Sequence, residues 1–208
     1  MTASVTLYAL NASPNTMKVR AALAYKKIPH QRIDVDPARR EEVVKLSGQP
    51  LTPILKHGDA VVYDSYGIMR YLDANWRQAP ALYSADRATM KAIESWELYA
   101  RTDVGPAIST MFGQIREANP DAAKIRGANE QMNRGAAKIE ATLSASEWLV
   151  GATPTAADFT LAMPLYYGAV AAVGPEATPV AGLFGKHLKI ENAPKTIAWI
   201  RRVMEWHR

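Results

Sequence analysis

The sequence contains no cysteine, and this absence excludes several kinds of chemistry at once. Without a thiol, the chain cannot form disulfide bonds, thiolate metal sites, a CxxC redox pair or a cysteine nucleophile. Any thiol that reacts here must therefore belong to a bound molecule. Long apolar runs are also missing, and the start, MTASVTLYAL, has neither the basic segment nor the apolar core of a signal peptide. We expect a cytoplasmic protein that has no membrane contact.

Motifs of two common enzyme classes are absent as well. There is no GxGxxG, so a dinucleotide-binding fold is not supported, and no GxSxG surrounds Ser13. The four histidines (His30, His57, His187 and His207) are scattered along the chain. We therefore expect neither a hydrolase triad nor a metal site.

The charge balance is basic but dispersed. The formal net charge is +5, with a pI near 9.4. Lysines and arginines are interleaved with acids, and the densest basic spot, Arg39-Arg40, is followed directly by Glu41-Glu42. This pattern favours a solvated basic surface over a nucleic-acid groove, so we expect no nucleic-acid partner.

The pattern of the 208 residues changes once along the chain. The first eighty alternate short β-rich runs with helical periods, in the order β-α-β, α, β-β-α, and this order suggests a thioredoxin-like domain. Residues 77–85 have the composition of a linker, and helix follows helix beyond them. We predict an α/β plus all-α protein, with a thioredoxin-like domain at 1–78 and an all-helical domain at 86–208.

Particular signals predict the ends of the elements. Asp36-Pro37 predicts a capped helix start, with Val43, Val44 and Leu46 on the inner face, and HGD predicts the turn of an antiparallel hairpin. Gly105-Pro106 predicts a bend within the first long helix of the second domain.

The two helices at the end of the chain also have recognisable starts. Thr155 with Asp158 three residues later predicts a capping box ahead of an apolar helix. The last helix begins at Pro194 and places Ile197, Ile200, Val203 and Met204 on one face.

Ser13 lies in the turn between the first strand and the first helix, within NASPNTMKVRAAL. Serine is a favoured N-cap, and Pro14 suits the first helical position, so simple capping is one interpretation. The other is functional, because the free amides and the dipole of a first helical turn attract an anion. Since no base lies nearby in the sequence, Ser13 is better suited to donate a hydrogen bond to a negative group than to attack.

Two further signals follow in the same domain. Pro53 in LTPIL stands at a strand start, where a cis bond would turn the backbone of Thr52 into a short template strand and a trans bond would make it a plain edge proline. Asp64-Ser65 in YDSYGI opens a helix. These two residues suit a helix cap, and they also suit a ligand that has both an ammonium and a carboxylate.

Taken together, these segments resemble the cytosolic glutathione S-transferase family over essentially the whole chain. SPNTMKVRAAL is similar to the serine-type tau, phi and zeta classes, including bacterial members, in which this serine donates to the glutathione sulfur. LTPIL resembles the cis-proline segment of the family, DSYGIMRYL its motif for the γ-glutamyl group, and PTAADFTLA its structural capping box. The resemblance implies a transferase that uses glutathione as co-substrate and forms a homodimer.

The resemblance also implies residue roles. Ser13 would stabilise the thiolate, and Asn15 is a second candidate donor. Glutathione would also be bound by the backbone of Thr52 beside Pro53, by Asp64 and Ser65 at the γ-glutamyl end, and by Arg39 and Gln49 at the glycyl carboxylate. SGQPLTP departs from the usual run before the cis-proline, which leaves the glycyl contacts open.

A hydrophobic electrophile would be the second substrate, in a pocket for which the candidates are Ala12, Tyr99 and Thr102. An apolar lining implies such a compound and nothing finer. The alternative function is a glutathione-binding or scaffolding protein that keeps this fold without the chemistry. The combination of Ser13, Pro53, Asp64 and Ser65 favours the enzyme, because a scaffold would not need all four.

Overall fold

A computed structural model describes residues 4–173 and 184–207. The chain divides into two compact units, one formed by Met1–Tyr83 with Trp206–Arg208 and the other by Ser84–Glu205. The division falls inside the segment that the sequence marks as a linker. The glutathione and electrophile roles assigned to the two parts stay predictions.

The first unit is built on a four-stranded sheet in the order β2-β1-β3-β4. Its strands are β1 Val5–Ala9, β2 Gln31–Asp34, β3 Ile54–His57 and β4 Ala60–Tyr63, and its helices are α1 Pro14–Tyr25, α2 Glu41–Ser47 and α3 Ser65–Asn75. β1 pairs with β2 in parallel and with β3 antiparallel, and β3 and β4 form the predicted hairpin. Gly58 has a φ of 60° in the hairpin turn, a conformation that glycine adopts without strain. The predicted element order and sheet are confirmed.

Apolar side chains of the sheet and of two helices form the core of this unit. Leu7, Leu23, Ile54, Ile68 and Leu72 are fully buried. α1 packs against α3. Each such leucine or isoleucine contributes roughly 1.5–3 kcal/mol of transfer free energy, so this packing fixes α1 and α3 against each other.

The predicted start of α2 is wrong. The helix begins at Glu41, because Asp36 accepts a hydrogen bond from the amide of Ala38 (2.8 Å) and its carbonyl accepts one from Arg39 (3.1 Å). Asp36 thus closes a turn rather than capping a helix. Val44, which was predicted to lie on the inner face, is 43% exposed, whereas Val43 is buried.

The second unit is helical in its described residues. Its helices are α4 Arg87–Tyr99, α5 Gly105–Gln114, α6 Ala122–Thr142, α7 Ala156–Val173 and α8 Pro194–Met204. Asp86 caps α4 and Asp121 caps α6 through their side chains. Every residue from Ala156 to Ala169 is buried, as expected for a central helix. None of the helices within the described ranges is long and apolar enough to cross a membrane.

A π-helical turn, Ala100–Val104, separates α4 from α5. The sequence predicts a bend at Gly105-Pro106, and the structure places this change of helix type directly before these two residues. Pro106 has no amide hydrogen, and the amide of Gly105 bonds to the carbonyl of Ala100 in the longer π pattern. A Cβ on residue 105 would lie 2.9 Å from that carbonyl oxygen, so glycine is required there.

The predicted capping box is present and has additional partners. Asp158 accepts hydrogen bonds from the amide (2.8 Å) and the hydroxyl (3.1 Å) of Thr155. It also accepts from the amide of Leu149 (3.0 Å) and from the indole of Trp199 (2.9 Å). Burial raises the pKa of Asp158, and the four hydrogen bonds oppose this rise. The carboxyl therefore joins α7 to α8.

Candidate glutathione site

Three of the predicted site segments meet at one edge of the sheet. Ile54, at the start of β3, pairs with Tyr8 near the end of β1 and with Tyr63 at the end of β4. Adjacent strands lie about 4.8 Å apart. The chain segments that leave or enter these strands, residues 10–13, 52–53 and 64–65, therefore lie side by side at this edge.

The turn that contains Ser13 is held by backbone and side-chain bonds. The amide of Ser13 donates to the carbonyl of Leu10 (3.1 Å), and the amide of Leu10 donates to the hydroxyl of Thr16 (3.3 Å). Ser13 occupies the N-cap position of α1, with Pro14 following, but its side chain makes no capping hydrogen bond. The hydroxyl is therefore not used to cap α1.

Asn15 and Ser65 connect the first turns of α1 and α3. The Ser65 hydroxyl donates to the side-chain carbonyl of Asn15 over 3.3 Å. Ser65 is buried and Asn15 is exposed. The two predicted site residues, fifty positions apart in sequence, are thus brought into contact.

The Thr52-Pro53 peptide bond is cis, as the resemblance implies. Pro53 is buried, and Thr52 is partly exposed. The Thr52 hydroxyl oxygen itself is buried and has no hydrogen-bond partner among the described residues. Such an orphaned group costs about 1–3 kcal/mol and calls for an explanation.

Asp64, and not Ser65, is the cap of α3. Its side chain accepts from the amide of Tyr66 (3.4 Å), and its φ is 65°, which is uncommon for a residue other than glycine. This conformation turns the chain sharply from β4 into α3 and places Ser65 at the first helical position, facing the interior. The sequence suggested that Ser65 was a cap, and this was wrong, because both residue types suit the position.

The two residues predicted for the glycyl carboxylate have local partners. The Arg39 side chain is 79% exposed and is paired with Asp36 at 2.8 Å. The amide of Ala38 and then the Arg39 guanidinium lower the pKa of Asp36. The Gln49 amide folds back on its own loop, donating to the Ser47 hydroxyl (2.9 Å) and accepting from the amide of Leu51 (2.6 Å).

Arg39 and Gln49 therefore stay predictions. In the described part of the chain, neither forms a hydrogen bond to Ser13, Thr52 or Ser65.

The residues predicted for the electrophile pocket belong to both units. Ala12 lies in the turn before α1, within the first unit, whereas Tyr99 ends α4 and Thr102 lies in the π-helical turn. The Lys138 ammonium lies 3.6 Å from the Tyr99 ring centroid, and burial, followed by Asp103, raises the pKa of the phenol. The Thr102 hydroxyl donates to the carbonyl of Leu98 (3.1 Å). The pocket itself stays a prediction.

Two buried lysines, Lys18 in α1 and Lys26 directly after it, were not identified from the sequence. Lys18 is 2% exposed, and its ammonium lies 3.4 Å from the ring centroid of Tyr66 in α3. Lys26 is fully buried and pairs with Asp73 at 2.7 Å. Lysine in a surface helix is normally assigned to the solvent side, and partners about fifty residues away leave no local signal.

Within the ranges that the structure describes, no cluster of three histidine or acidic side chains could hold a metal ion. The arrangement instead offers two helix N-termini, the hydroxyls of Ser13, Thr52 and Ser65 and the amide of Asn15 at one sheet edge. These groups suit a ligand that has a thiolate or a carboxylate.

Two protein-family models match the chain that carries this arrangement. A model described as the glutathione S-transferase N-terminal domain matches residues 7–80. The model of the glutathione S-transferase C-terminal domain matches residues 98–206, which is just over half of the chain.

The chain belongs to the glutathione S-transferase family. Its curated relatives are distant. Glutathione S-transferase U13 of Arabidopsis thaliana is 24% identical over 125 residues, a match that covers 58% of this chain and 53% of the relative. Glutathione S-transferase U1 of the same plant is 32% identical over 82 residues, or 38% of this chain and 36% of the relative. The chain thus aligns to about half or less of the length of these transferases.

Solved structures share the glutathione S-transferase fold over nearly the whole chain. A glutathione S-transferase from Rhodospirillum rubrum superposes with a TM-score of 0.79 at 21% identity, covering 96% of this chain and 87% of that one. At this level of identity, the comparison shows a shared fold. It assigns no role to any residue of this transferase family member, and such roles depend on the geometry described above.

Proposed function

We propose that this glutathione S-transferase family member conjugates glutathione to hydrophobic electrophiles, with Ser13 stabilising the thiolate. The observation that supports the proposal most is the Ser13 hydroxyl, which lies at the N-terminus of α1 and makes no capping bond. A free thiol titrates near 8.5, so only a small fraction is ionised at neutral pH. Lowering this pKa by two units requires about 2.7 kcal/mol, which one or two donors and a helix N-terminus can supply.

The remaining site residues would bind the rest of the tripeptide. The backbone of Thr52 beside the cis Pro53 would pair with the cysteinyl residue, and Asp64 and Ser65 would hold the γ-glutamyl end. Arg39 and Gln49 would bind the glycyl carboxylate, which requires Arg39 to exchange its exposed partner Asp36 for the ligand. An exposed ion pair contributes little, so this exchange costs little.

The charge distribution supports an anionic ligand in the first unit. Met1–Tyr83 with Trp206–Arg208 contains 12 lysines and arginines against 7 acids, whereas Ser84–Glu205 contains 13 of each. The whole net charge of +5 therefore belongs to the unit that would bind glutathione, whose own net charge is negative. Such a field favours the encounter with the tripeptide.

In the reaction, the bound thiol gives its proton to solvent, and the thiolate forms a carbon–sulfur bond with the electrophile. A substitution releases the leaving group with the electron pair of the broken bond, and an addition takes up a proton. Ser13, with Asn15 as second donor, would favour the charged sulfur, and Ala12, Tyr99 and Thr102 would contact the electrophile. The protein contributes by stabilising the glutathione thiolate and by holding it in position for the reaction. We also propose a homodimer.

The test is a spectroscopic titration of the bound thiol together with calorimetric binding of glutathione. Ser13→Ala should raise the thiol pKa and lower kcat/KM about 10–100-fold while affinity changes little. Ser144→Ala, an exposed serine in the second unit, is the control and should change neither. Binding without any lowering of the thiol pKa would replace the enzyme with a glutathione-binding protein that lacks the chemistry.

A further inference from the structure

The Thr52 hydroxyl has an unusual environment. Its oxygen is buried without a hydrogen-bond partner, although the residue as a whole is partly exposed. Threonine and valine have nearly the same shape, so a valine would fill this space without leaving a polar group unpaired. The hydroxyl therefore makes the ligand-free protein less stable than it could be.

The position of Thr52 gives this observation a functional meaning. Thr52 is two residues before Ile54, which pairs with Tyr8 of β1 and Tyr63 of β4. The hydroxyl thus lies just before β3, at the sheet edge at which Ser13 and Ser65 lie. A buried polar group without a partner calls for an explanation, and a ligand that supplies the partner is one.

The side chain can present the hydroxyl in another direction. Rotation of about 120° about χ1 moves the hydroxyl to the place of another Cβ substituent, and the staggered rotamers are the populated states. Because the hydroxyl oxygen has no exposed surface while the residue does, the exposed part of Thr52 is its methyl group or backbone. A change of rotamer would therefore move the hydroxyl out of the position in which it has no partner.

We propose that the Thr52 hydroxyl changes rotamer when glutathione binds and forms a hydrogen bond with the cysteinyl peptide group of the tripeptide. This inference rests on the proposed function and adds a side-chain contact to the backbone contact assigned to the same residue. The free energy lost by the orphaned hydroxyl in the free state is recovered in the complex. The Thr52 side chain would thus contribute to glutathione affinity because it gains a partner in the bound state.

The experiment compares Thr52→Val with Thr52→Ser and Thr160→Val. Thr160, in α7 of the second unit, also has a buried hydroxyl without a partner among the described residues, so it is a matched control. Both valine variants should melt about 2–4 °C higher than the wild type in the absence of ligand. Only Thr52→Val should bind glutathione more weakly, by about tenfold in calorimetry, and Thr52→Ser should restore the affinity.

The outcomes separate this inference from the proposed function. If the wild type does not bind glutathione, the proposed function fails, and the Thr52 contact fails with it. If the wild type binds and Thr52→Val keeps its affinity within twofold, as Thr160→Val should, the contact alone is overturned. A lower melting temperature for Thr52→Val would also overturn it, because the hydroxyl would then already have a partner in the free protein.

Discussion

The Ser65 hydroxyl donates a hydrogen bond to the side-chain carbonyl of Asn15 over 3.3 Å. The bond joins the first turn of α3, which would bind the γ-glutamyl end of glutathione, to the first turn of α1, which would face the sulfur. Because the carbonyl of Asn15 is occupied, its amide NH2 is oriented away from Ser65 and can serve as a donor.

We predict that Asn15→Ala and Ser65→Ala are not additive in their effect on kcat/KM. Each removes the same hydrogen bond, so a double-mutant cycle should give a coupling energy of about 0.5–1.5 kcal/mol. No hydrogen bond joins the described side chains of Ser13 and Ser65. The cycle of Ser13→Ala with Ser65→Ala should therefore be additive within about 0.5 kcal/mol. Full additivity of Asn15→Ala and Ser65→Ala would contradict a shared contact.

The ion pair of Lys26 and Asp73 should be among the strongest polar contributions to the stability of the first unit. The Lys26 ammonium donates to Asp73 (2.7 Å) and to the carbonyl of Pro80 (2.9 Å), and Asp73 accepts from the amides of Leu82 and Tyr83 (both 2.9 Å). The pair therefore fixes the end of the linker to α1 and α3.

Asp73→Ala removes the carboxylate from a fully buried ammonium, which keeps only the carbonyl of Pro80, and takes the acceptor away from two amides; it should lower the free energy of unfolding by about 3–5 kcal/mol. Lys26→Met should cost less, because Asp73 keeps two amide donors and is 17% exposed. Chemical denaturation measures both. Lys189→Ala breaks an exposed pair with Glu191 at 3.8 Å and should cost less than about 1 kcal/mol. The opposite order of Asp73→Ala and Lys26→Met would contradict this account.

Gly105→Ala should destabilise the second unit, although alanine is normally the better helix former. The added Cβ would lie 2.9 Å from the carbonyl oxygen of Ala100, and backbone must move to admit it. We expect a loss of about 1–3 kcal/mol in thermal or chemical unfolding. Gly127→Ala in the interior of α6 meets nothing within 4 Å and should gain about 0.5–1 kcal/mol. If Gly105→Ala and Gly127→Ala changed the free energy of unfolding in the same direction, the close contact in the π-helical turn would be excluded as the cause.

His207 should make the stability of the first unit depend on pH in the acidic range. Burial, followed by the charges of Arg20 and Arg32, lowers its pKa from 6.5 to about 4. Between these two values the unfolded chain binds the proton and the folded chain does not, so stability falls as the pH falls from 6.5 towards 4.

The difference between the two pKa values corresponds to about 3 kcal/mol at the acidic end. His207→Leu should remove this part of the pH dependence, which unfolding curves at pH 4.5 and pH 7 would measure. Parallel losses in the wild type and the variant over this range would show that His207 does not titrate in this way.

Local patterns were sufficient for much of the fold. Alternation of strand and helix periods predicted the element order. The caps formed by Asp86 and Asp121 are also local, because their bonds span only two or three residues. The Asp36-Pro37 signal failed because an aspartate closes a turn and caps a helix with the same side-chain bond. No sequence signal at the first residues of α2 was strong enough to distinguish a turn at Asp36 from a helix cap.

The candidate site was predictable as a set of residues and not as a set of contacts. Ser13, Thr52 and Ser65 belong to segments that the resemblance marked, and the sheet register brings these segments together. The bond between Asn15 and Ser65 and the buried pair of Lys26 and Asp73 join positions 47 or more residues apart. Such contacts depend on how α1 and α3 pack, and this packing cannot be read from any short segment of the sequence.

The end of the described chain returns to the unit in which it began. The Trp206 ring meets the Tyr25 ring edge-on at 5.2 Å, and Arg20 donates to the carbonyl of His207 (3.1 Å). During synthesis the ribosome must therefore make all of Ser84–Glu205 before Trp206 and His207 can pack on the first unit. A fragment cut at the linker would lack the contacts of Trp206 and His207 with α1, so the first unit depends on residues that follow the second unit in the chain.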